Sequence, residues 1–337
     1  MKAIVVHSPG KPFTQEEREV QQLRPGEVRI RVHACGICRS DELVTAGLWP
    51  GLEYPRVPGH EVAGVVDAIG DGVNQLAVGA RVGVGWHGGH DGTCDACLSG
   101  KFQRCQNARI TGISTDGGYA EYMIAPAIAC ARIPDGMEFD QAAPLLCAGI
   151  TSFNALRNSG ARSGDLVGVQ GLGGLGHLAI QYARAMGFEV AAISQGQEKE
   201  QFARRLGAHH YVDTKTESAA ARLTAFGGAK AILATAPDAA SVSALVEGLG
   251  TDGSLLVVGV PSEPLKIEAQ ALISGYRRVL GWSSGTAVDS TDAMAFAQQQ
   301  GIEAMIETFS LDQTSTAFER MMQGKVRFKA VLQLARG

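Results

Sequence analysis

No stretch of this 337-residue chain holds roughly 18 consecutive apolar residues, so no membrane-spanning helix is expected. The opening MKAIVVHSPGKPF lacks the charged-then-apolar layout of a secretory leader, and a cytoplasmic protein is expected. Basic blocks are missing too. Lys and Arg number 30 against 34 Asp and Glu, a formal net charge of -4, which argues against nucleic acid or an anionic membrane as the main partner. Proline is scarce, at 12 residues, and no short period recurs, which excludes collagen-like and low-complexity chains. What is plentiful is glycine: 43 residues, roughly twice its ordinary share. Such a chain has many positive-φ turns and close backbone approaches, which suits loop-built sites and a phosphate-binding turn. Apolar residues at 45% and charged ones at 19% allow full cores and exclude disorder as the main state. The length predicts about two domains.

Seven cysteines fall at positions 35, 38, 94, 97, 105, 130 and 147. An odd count, clustering at short spacing and no leader argue against a disulfide framework and for metal binding in a reducing compartment.

The first stretch predicts strands with little helix: Lys2–His7, Glu27–Ala34 in clean alternation, Glu61–Ile69, Arg81–Val84, Tyr119–Ile124 and Ile128–Ile133. Asp140 is expected to cap a helix with Ala142, Leu145, Leu146, Ile150 and Phe153 on one side, ending near Ser159-Gly160. From Leu166 apolar strands alternate with helices: LVGVQ, helix Gly174–Met186, EVAAIS, helix Lys199–Leu206, HYVD, AILA, helix Ala239–Leu249 and SLLVVGV. That pattern predicts βαβ units and a parallel sheet covered on both faces. Two more helices, Asp292–Gln300 and Gln313–Gln323, and a strand Val326–Leu332 form a tail expected to pack back on the first domain.

Gly171-Leu172-Gly173-Gly174-Leu175-Gly176 follows the strand LVGVQ and opens a helix. Gly171 allows the tight turn, Gly173 the approach of a pyrophosphate and Gly176 a close helix–sheet contact, while helix N-terminal amides face the phosphate charge. Where an acid would hold the ribose 2′-hydroxyl stands Ser194. Losing that carboxylate removes repulsion against a 2′-phosphate, which Ser194 and Lys199 could bind; Lys199 is otherwise a solvated residue of the next helix.

ACGICRSD (34–41) and GHE (59–61) lie on loops flanking strands, and Cys147 lies in LLCAGIT. Two thiolates and an imidazole with a fourth position open suit a catalytic zinc, although spacing alone does not single this trio out, since a buried cysteine often serves as a small hydrophobe. Cys35 and Cys38 also have redox-pair spacing, but nothing else resembles a thioredoxin unit. Gly64 occupies the second histidine position of H-E-x-x-H, so His60-Glu61 does not begin a metalloprotease motif. Denser is Cys94-x2-Cys97-x7-Cys105 with Asp91 three residues before, on a Gly-rich loop, which reads as a structural zinc lobe with Asp91 or His90 as fourth ligand. Gly281-Trp282-Ser283-Ser284-Gly285 matches the nucleophile elbow, yet the last histidine is His210, so the required following base is missing.

Taken in order, CGICRSD, PGHE, DGTCDACLSGKFQRC, LLCAGIT, GLGGLG and LVVGVP resemble the zinc-dependent alcohol dehydrogenases of the medium-chain dehydrogenase/reductase family, in their cinnamyl-alcohol-dehydrogenase-like or bacterial branches. The resemblance spans the whole chain. It implies an α/β fold: a GroES-like, β-rich catalytic domain (1–150 and 287–337), a doubly wound Rossmann domain (151–286), and an active site in the cleft between them. By this resemblance, Cys38, His60 and Cys147 would hold the catalytic zinc as the family's known Cys₂His set, with Glu61 nearby or as an occasional ligand. Asp91, Cys94, Cys97 and Cys105 would hold the structural zinc. Ser40 would hydrogen-bond the substrate oxygen and pass its proton outward, and Asp41 would orient His60. Arg39 and Lys329 would face cofactor phosphate, Thr151 the nicotinamide side, and Gly259-Val260 its amide; Trp49 and Trp86 would wall the substrate pocket.

The implied activity is interconversion of alcohols with aldehydes or ketones by hydride transfer, using zinc and NADP(H) in preference to NAD(H), in a homotetramer or else a homodimer. Three departures stand out: Leu43 where many relatives carry a relay histidine, Ala287-Val288 in place of an arginine, and Asp91 for the first lobe cysteine. The rival readings are a polyol dehydrogenase of the same family, which tends to carry a carboxylate in place of Cys147, and a catalytically idle NADPH-binding protein.

Overall fold

The alternating EVRIRVHA stretch forms a strand, and it runs on to Ile37, as Glu27–Ile37. Val28, Ile30 and Val32 point to one face and are buried, as a period of two requires. This strand is the centre of a seven-stranded sheet. It pairs antiparallel with Val62–Ile69, Tyr122–Pro126 and Lys329–Gln333. Lys329–Gln333 continues in parallel to Ile306–Ser310, and Val62–Ile69 continues to Arg81–Val84 and then Ala131–Arg132. Val28, Ile30, Val62, Val66, Tyr119 and Leu332 belong to one core.

The computed structural model describes residues 1–334 and divides into two compact units. One comprises Met1–Ile150, Ser284–Gln299 and the segment from Glu303 on; the other comprises Thr151–Ser283 with Gln300–Ile302. Among the described residues no helix is long and apolar enough to cross a membrane.

Some expected boundaries shift. The segment expected as a strand over Ile128–Ile133 begins in a 3-10 turn, Ala127–Ala129, and keeps only the short strand Ala131–Arg132. Asp140 does not cap its helix. Glu138 has the extended backbone an N-cap needs (φ -66°, ψ 146°), and Asp140 sits inside the first turn of Phe139–Pro144. The Asp140 carboxylate accepts instead from Gln333 Nε2 at 3.0 Å. Nor does this helix run smoothly to Ser159. Pro144 has no N–H to donate, and Leu145–Gly149 widens into a π turn before regular helix resumes at Ile150–Arg157.

In the second unit six parallel strands lie in the spatial order His210–Asp213, Glu189–Ser194, Leu166–Gln170, Ala229–Ala234, Leu249–Val257, Arg278–Gly281. In chain order that is 3-2-1-4-5-6, the doubly wound arrangement. The order reverses between Leu166–Gln170 and Ala229–Ala234, and the glycine turn leaves the sheet at the carboxyl end of the first of these.

Candidate active site

The π turn matters because it carries Cys147. Its Sγ lies 3.9 Å from Cys38 Sγ, at the end of the central strand. One ligand atom from each of Cys38, His60, Glu61 and Cys147 falls within 4.8 Å of the others. Two thiolates at about 2.3 Å from one ion at the tetrahedral angle would stand about 3.8 Å apart, so the pair is already at metal-bridging distance. His60 Nε2 and Glu61 Oε2 are both buried without a hydrogen-bond partner. Orphaned buried polar atoms are costly unless something satisfies them, and for His60 Nε2 a zinc ion among these ligand atoms would do so. The donor set fits the metal. Cys35, by contrast, is buried with its Sγ toward the Gly36 carbonyl and is not among the four grouped ligands.

Asp41 organises the cluster. It is 2% exposed and accepts from the Cys38 N–H at 2.9 Å and the Tyr119 hydroxyl at 2.7 Å. Its other oxygen lies 3.1 Å from His60 Nδ1, which fixes the ring and leaves Nε2 turned to the thiols. Burial opposes charging of His60, but Asp41 and Cys38 outweigh it and hold the imidazole pKa well above its usual value. The Cys38 thiol is held well below its usual value, first by the hydrogen bond from Cys147 and, against burial, by His60 and Lys329. Tyr119 escaped the sequence reading, because its partner Asp41 lies 78 residues away.

Glu61 is fully buried, and Lys329 Nζ donates to its Oε1 at 2.5 Å and to the Ile37 carbonyl at 3.2 Å. Burial pushes the Glu61 carboxyl up to about 7 despite that ammonium. Lys329, read from sequence as facing cofactor phosphate, is thus a buried partner of Glu61, delivered by the pairing of Ala330 with Ile37. Arg39 and Ser40 stand in the 3-10 turn Arg39–Asp41, the first exposed and the second half-buried. Trp86 packs edge-on against both His60 and Trp49, with ring centroids 5.0 and 5.9 Å apart, and Leu43, Trp49, Leu52 and Trp86 border one apolar cluster.

A second group, Asp91, Cys94, Cys97 and Cys105, also places its ligand atoms within 4.8 Å of one another, with Cys94 and Cys105 sulfurs 3.8 Å apart. Asp91 does more than face the thiols. Its Oδ1 accepts from Thr93 and Cys94 N–H at 2.8 and 3.1 Å, and its Oδ2 from Asn107 Nδ2 at 2.7 Å. Those bonds, led by Thr93, depress the carboxyl pKa. His90 stacks on Phe102 and His87.

In the second unit a groove of about 660 Å³ is lined by Gly171, Leu172, Gly173, Ser194, Lys199 and Thr235, among others. Gly171 has φ 89°, and a Cβ there would strike the Thr235 hydroxyl; one at Gly176 would strike the Gly171 carbonyl. Space beside Gly173 is open. The helix Gly176–Ala185 points its N-terminus at this turn, a ready anion site. A dinucleotide fits these residues. Thr151 is buried in the helix Ile150–Arg157, while Gly259 and the 89%-exposed Val260 follow the strand Leu249–Val257.

A parallel sheet with a glycine turn at its switch point and a thiolate–imidazole metal cluster define a zinc-binding nicotinamide-dependent oxidoreductase. Residues 24–135 match the alcohol dehydrogenase GroES-like domain, and residues 174–313 match the zinc-binding dehydrogenase family. The chain is 45% identical over 333 residues to an alcohol dehydrogenase of Penicillium expansum, covering 99% of this chain and 97% of that protein. Among solved structures, a cinnamyl alcohol dehydrogenase of Sorghum bicolor superposes with a TM-score of 0.90 at 32% identity, covering 98% and 97% of the two chains. The Helicobacter pylori enzyme of that type, complexed with NADP(H), superposes with a TM-score of 0.89 at 27% identity, again covering 98% and 97%. The chain belongs to the zinc-dependent alcohol dehydrogenases of the medium-chain dehydrogenase/reductase family. It interconverts alcohols with aldehydes or ketones by hydride transfer with a nicotinamide dinucleotide.

Proposed function

We propose that this enzyme prefers NADP(H), that Cys38, His60 and Cys147 hold its catalytic zinc, and that it works as a cytoplasmic homotetramer. Residues 1–150 and 287–337 form the catalytic domain in this reading and 151–286 the dinucleotide domain. When bound, zinc supplies Lewis-acid polarisation of the substrate oxygen, and the nicotinamide gives or takes the hydride. The chain's residues do the rest. Ser40 Oγ takes the alcohol proton in oxidation and returns it in reduction. Leu43, an apolar side chain packed against the same cluster as Trp49, Leu52 and Trp86, offers no further acceptor, so the proton leaves by water or ribose hydroxyl. The two tryptophans wall an apolar substrate pocket.

The observation supporting NADP(H) is the groove at the end of Glu189–Ser194, where Ser194 and Lys199 replace the ribose-binding acid. Two carboxylates also line that groove, but both are engaged. Glu217 accepts from Arg222 Nε at 2.6 Å, and Asp238 caps the next helix through Ser241 N–H. The test is kcat/KM with both cofactors over a panel of alcohols and aldehydes. Ser194→Asp is expected to swing the ratio toward NAD(H) by one or two powers of ten, about 1.4–2.8 kcal/mol. An unmodified enzyme that uses NADH as well as NADPH or better would overturn the preference.

For the lobe, two zinc ions per chain are expected in fresh protein, the lobe ion leaving first under mild chelation. An oxygen is a poorer match than sulfur for this ion, and three N–H groups already occupy much of the Asp91 carboxylate. Asp91→Cys is therefore expected to slow zinc loss with little change in kcat, yet to lower the stability of metal-free protein, since those N–H groups lose their acceptor. One tight zinc per chain, with Cys94, Cys97 and Cys105 freely reactive to thiol reagents, would count against the lobe site.

A further inference from the structure

Between Ser194 and Lys199 the chain turns on one buried residue, Gly196. Its φ is 94°, in the left-handed region that favours glycine. The two polar groups of Gly196 are held from the neighbouring strand His210–Asp213. The N–H donates to Asp213 Oδ1 at 2.8 Å, and the carbonyl accepts from the Tyr211 hydroxyl at 2.6 Å. Residues 211 and 213 project from the same face of that strand, which is why both reach one residue. Asp213 is itself fixed: 5% exposed, it also accepts the Lys215 N–H at 3.0 Å. One residue further on, the Thr214 N–H and hydroxyl both donate to the Ser194 carbonyl, at 2.9 and 3.3 Å. The loop that carries Ser194, Gln195 and Lys199 to the groove thus takes its shape from the end of the next strand.

We propose that Tyr211 and Asp213 are positioning residues for cofactor discrimination, clamping Gly196 so that Ser194 and Lys199 meet the 2′-substituent of the adenosine ribose. This rests on the reading that the groove takes the phosphorylated dinucleotide. Neither residue lines the groove. Asp213 acts through the backbone, and Tyr211 both through the backbone and by hydrogen bonding with the Ser194 side chain, so the effect falls on KM for the phosphorylated cofactor more than on kcat.

Charge and position make opposite demands on Asp213, which separates them. If the carboxylate acted only as a nearby negative charge, Asp213→Asn and Asp213→Ala would both raise the preference for NADPH. If it acts by holding Gly196, Asp213→Ala lowers that preference, while Asp213→Asn, which keeps the acceptor oxygen, stays near the unmodified enzyme. Tyr211→Phe removes one donor with no change of charge, and keeps the test open should Asp213→Ala fold poorly.

The experiment measures KM and kcat for NADPH and NADH in the zinc-loaded unmodified enzyme and the three variants. Tyr211→Phe and Asp213→Ala are expected to raise KM for NADPH by roughly three- to tenfold, the span of one lost hydrogen bond, with NADH much less affected. An unchanged cofactor ratio in folded Tyr211→Phe and Asp213→Ala overturns the proposal, as does a shift of both Asp213 variants toward NADPH. If the unmodified enzyme prefers NADH, the cofactor reading fails on its own. The clamp then stands or falls on whether the ratio moves in the two variants.

Discussion

Cys147→Ser, His60→Ala and Cys38→Ser are each expected to lower kcat/KM by about three powers of ten or more, on the order of 4 kcal/mol of barrier. Each takes one donor from a cluster whose ligand atoms all lie within 4.8 Å. Serine oxygen is a poor substitute for thiolate toward a borderline-soft ion, and alanine at position 60 leaves Asp41 buried without the imidazole it faces. The groove holding the glycine turn is built from residues of the other unit only, so dinucleotide binding should survive. Zinc content, turnover and a fluorescence titration with NADPH read the three quantities separately. A folded Cys147→Ser protein with unmodified kcat would sink the assignment of that thiolate.

The parts of this site legible in the sequence were those whose logic is local. The glycine turn follows its strand and opens its helix within a dozen residues, so its φ and contact demands are written side by side. Three cysteines of the lobe sit within twelve residues, and their density alone marks a metal site. The catalytic trio is different. Its members are spread from residue 38 to 147, and only the resemblance to a known family drew them together ahead of the structure. Asp91 was seen as a candidate ligand, but its bond to Asn107 was not, because Asn107 matches no ligand pattern. The expected cap at Asp140 failed over two residues of backbone: Asp is the better cap by type, but Glu138 has the extended conformation. The edge strand Ile306–Ser310 gave no signal, since its half-exposed side chains show no clean alternation.

Lys329 is the clearest case of long-range placement, and it carries the other large effect. In sequence it is one basic residue in RFKAVL; in the fold it is 268 residues from its partner, 5% exposed, and bonded to a carboxylate with no exposure at all. Removing one member of such a pair strands the other, and the penalty is that of an uncompensated buried charge. Lys329→Met is therefore expected to destabilise the zinc-loaded protein by about 3–5 kcal/mol, while Glu61→Gln, which can still accept from the ammonium, costs less. The double variant Lys329→Met with Glu61→Gln removes both charges and is expected to recover most of the loss, a strong departure from additivity. Guanidinium unfolding of the four proteins, with zinc content checked in each, measures this cycle. If the two losses simply add, or if Lys329→Met unfolds within about 1 kcal/mol of the unmodified protein, then Glu61 is not held charged by Lys329. A neutral carboxyl would then account for the result, since burial already pushes Glu61 up to about 7 and protonation leaves no stranded charge.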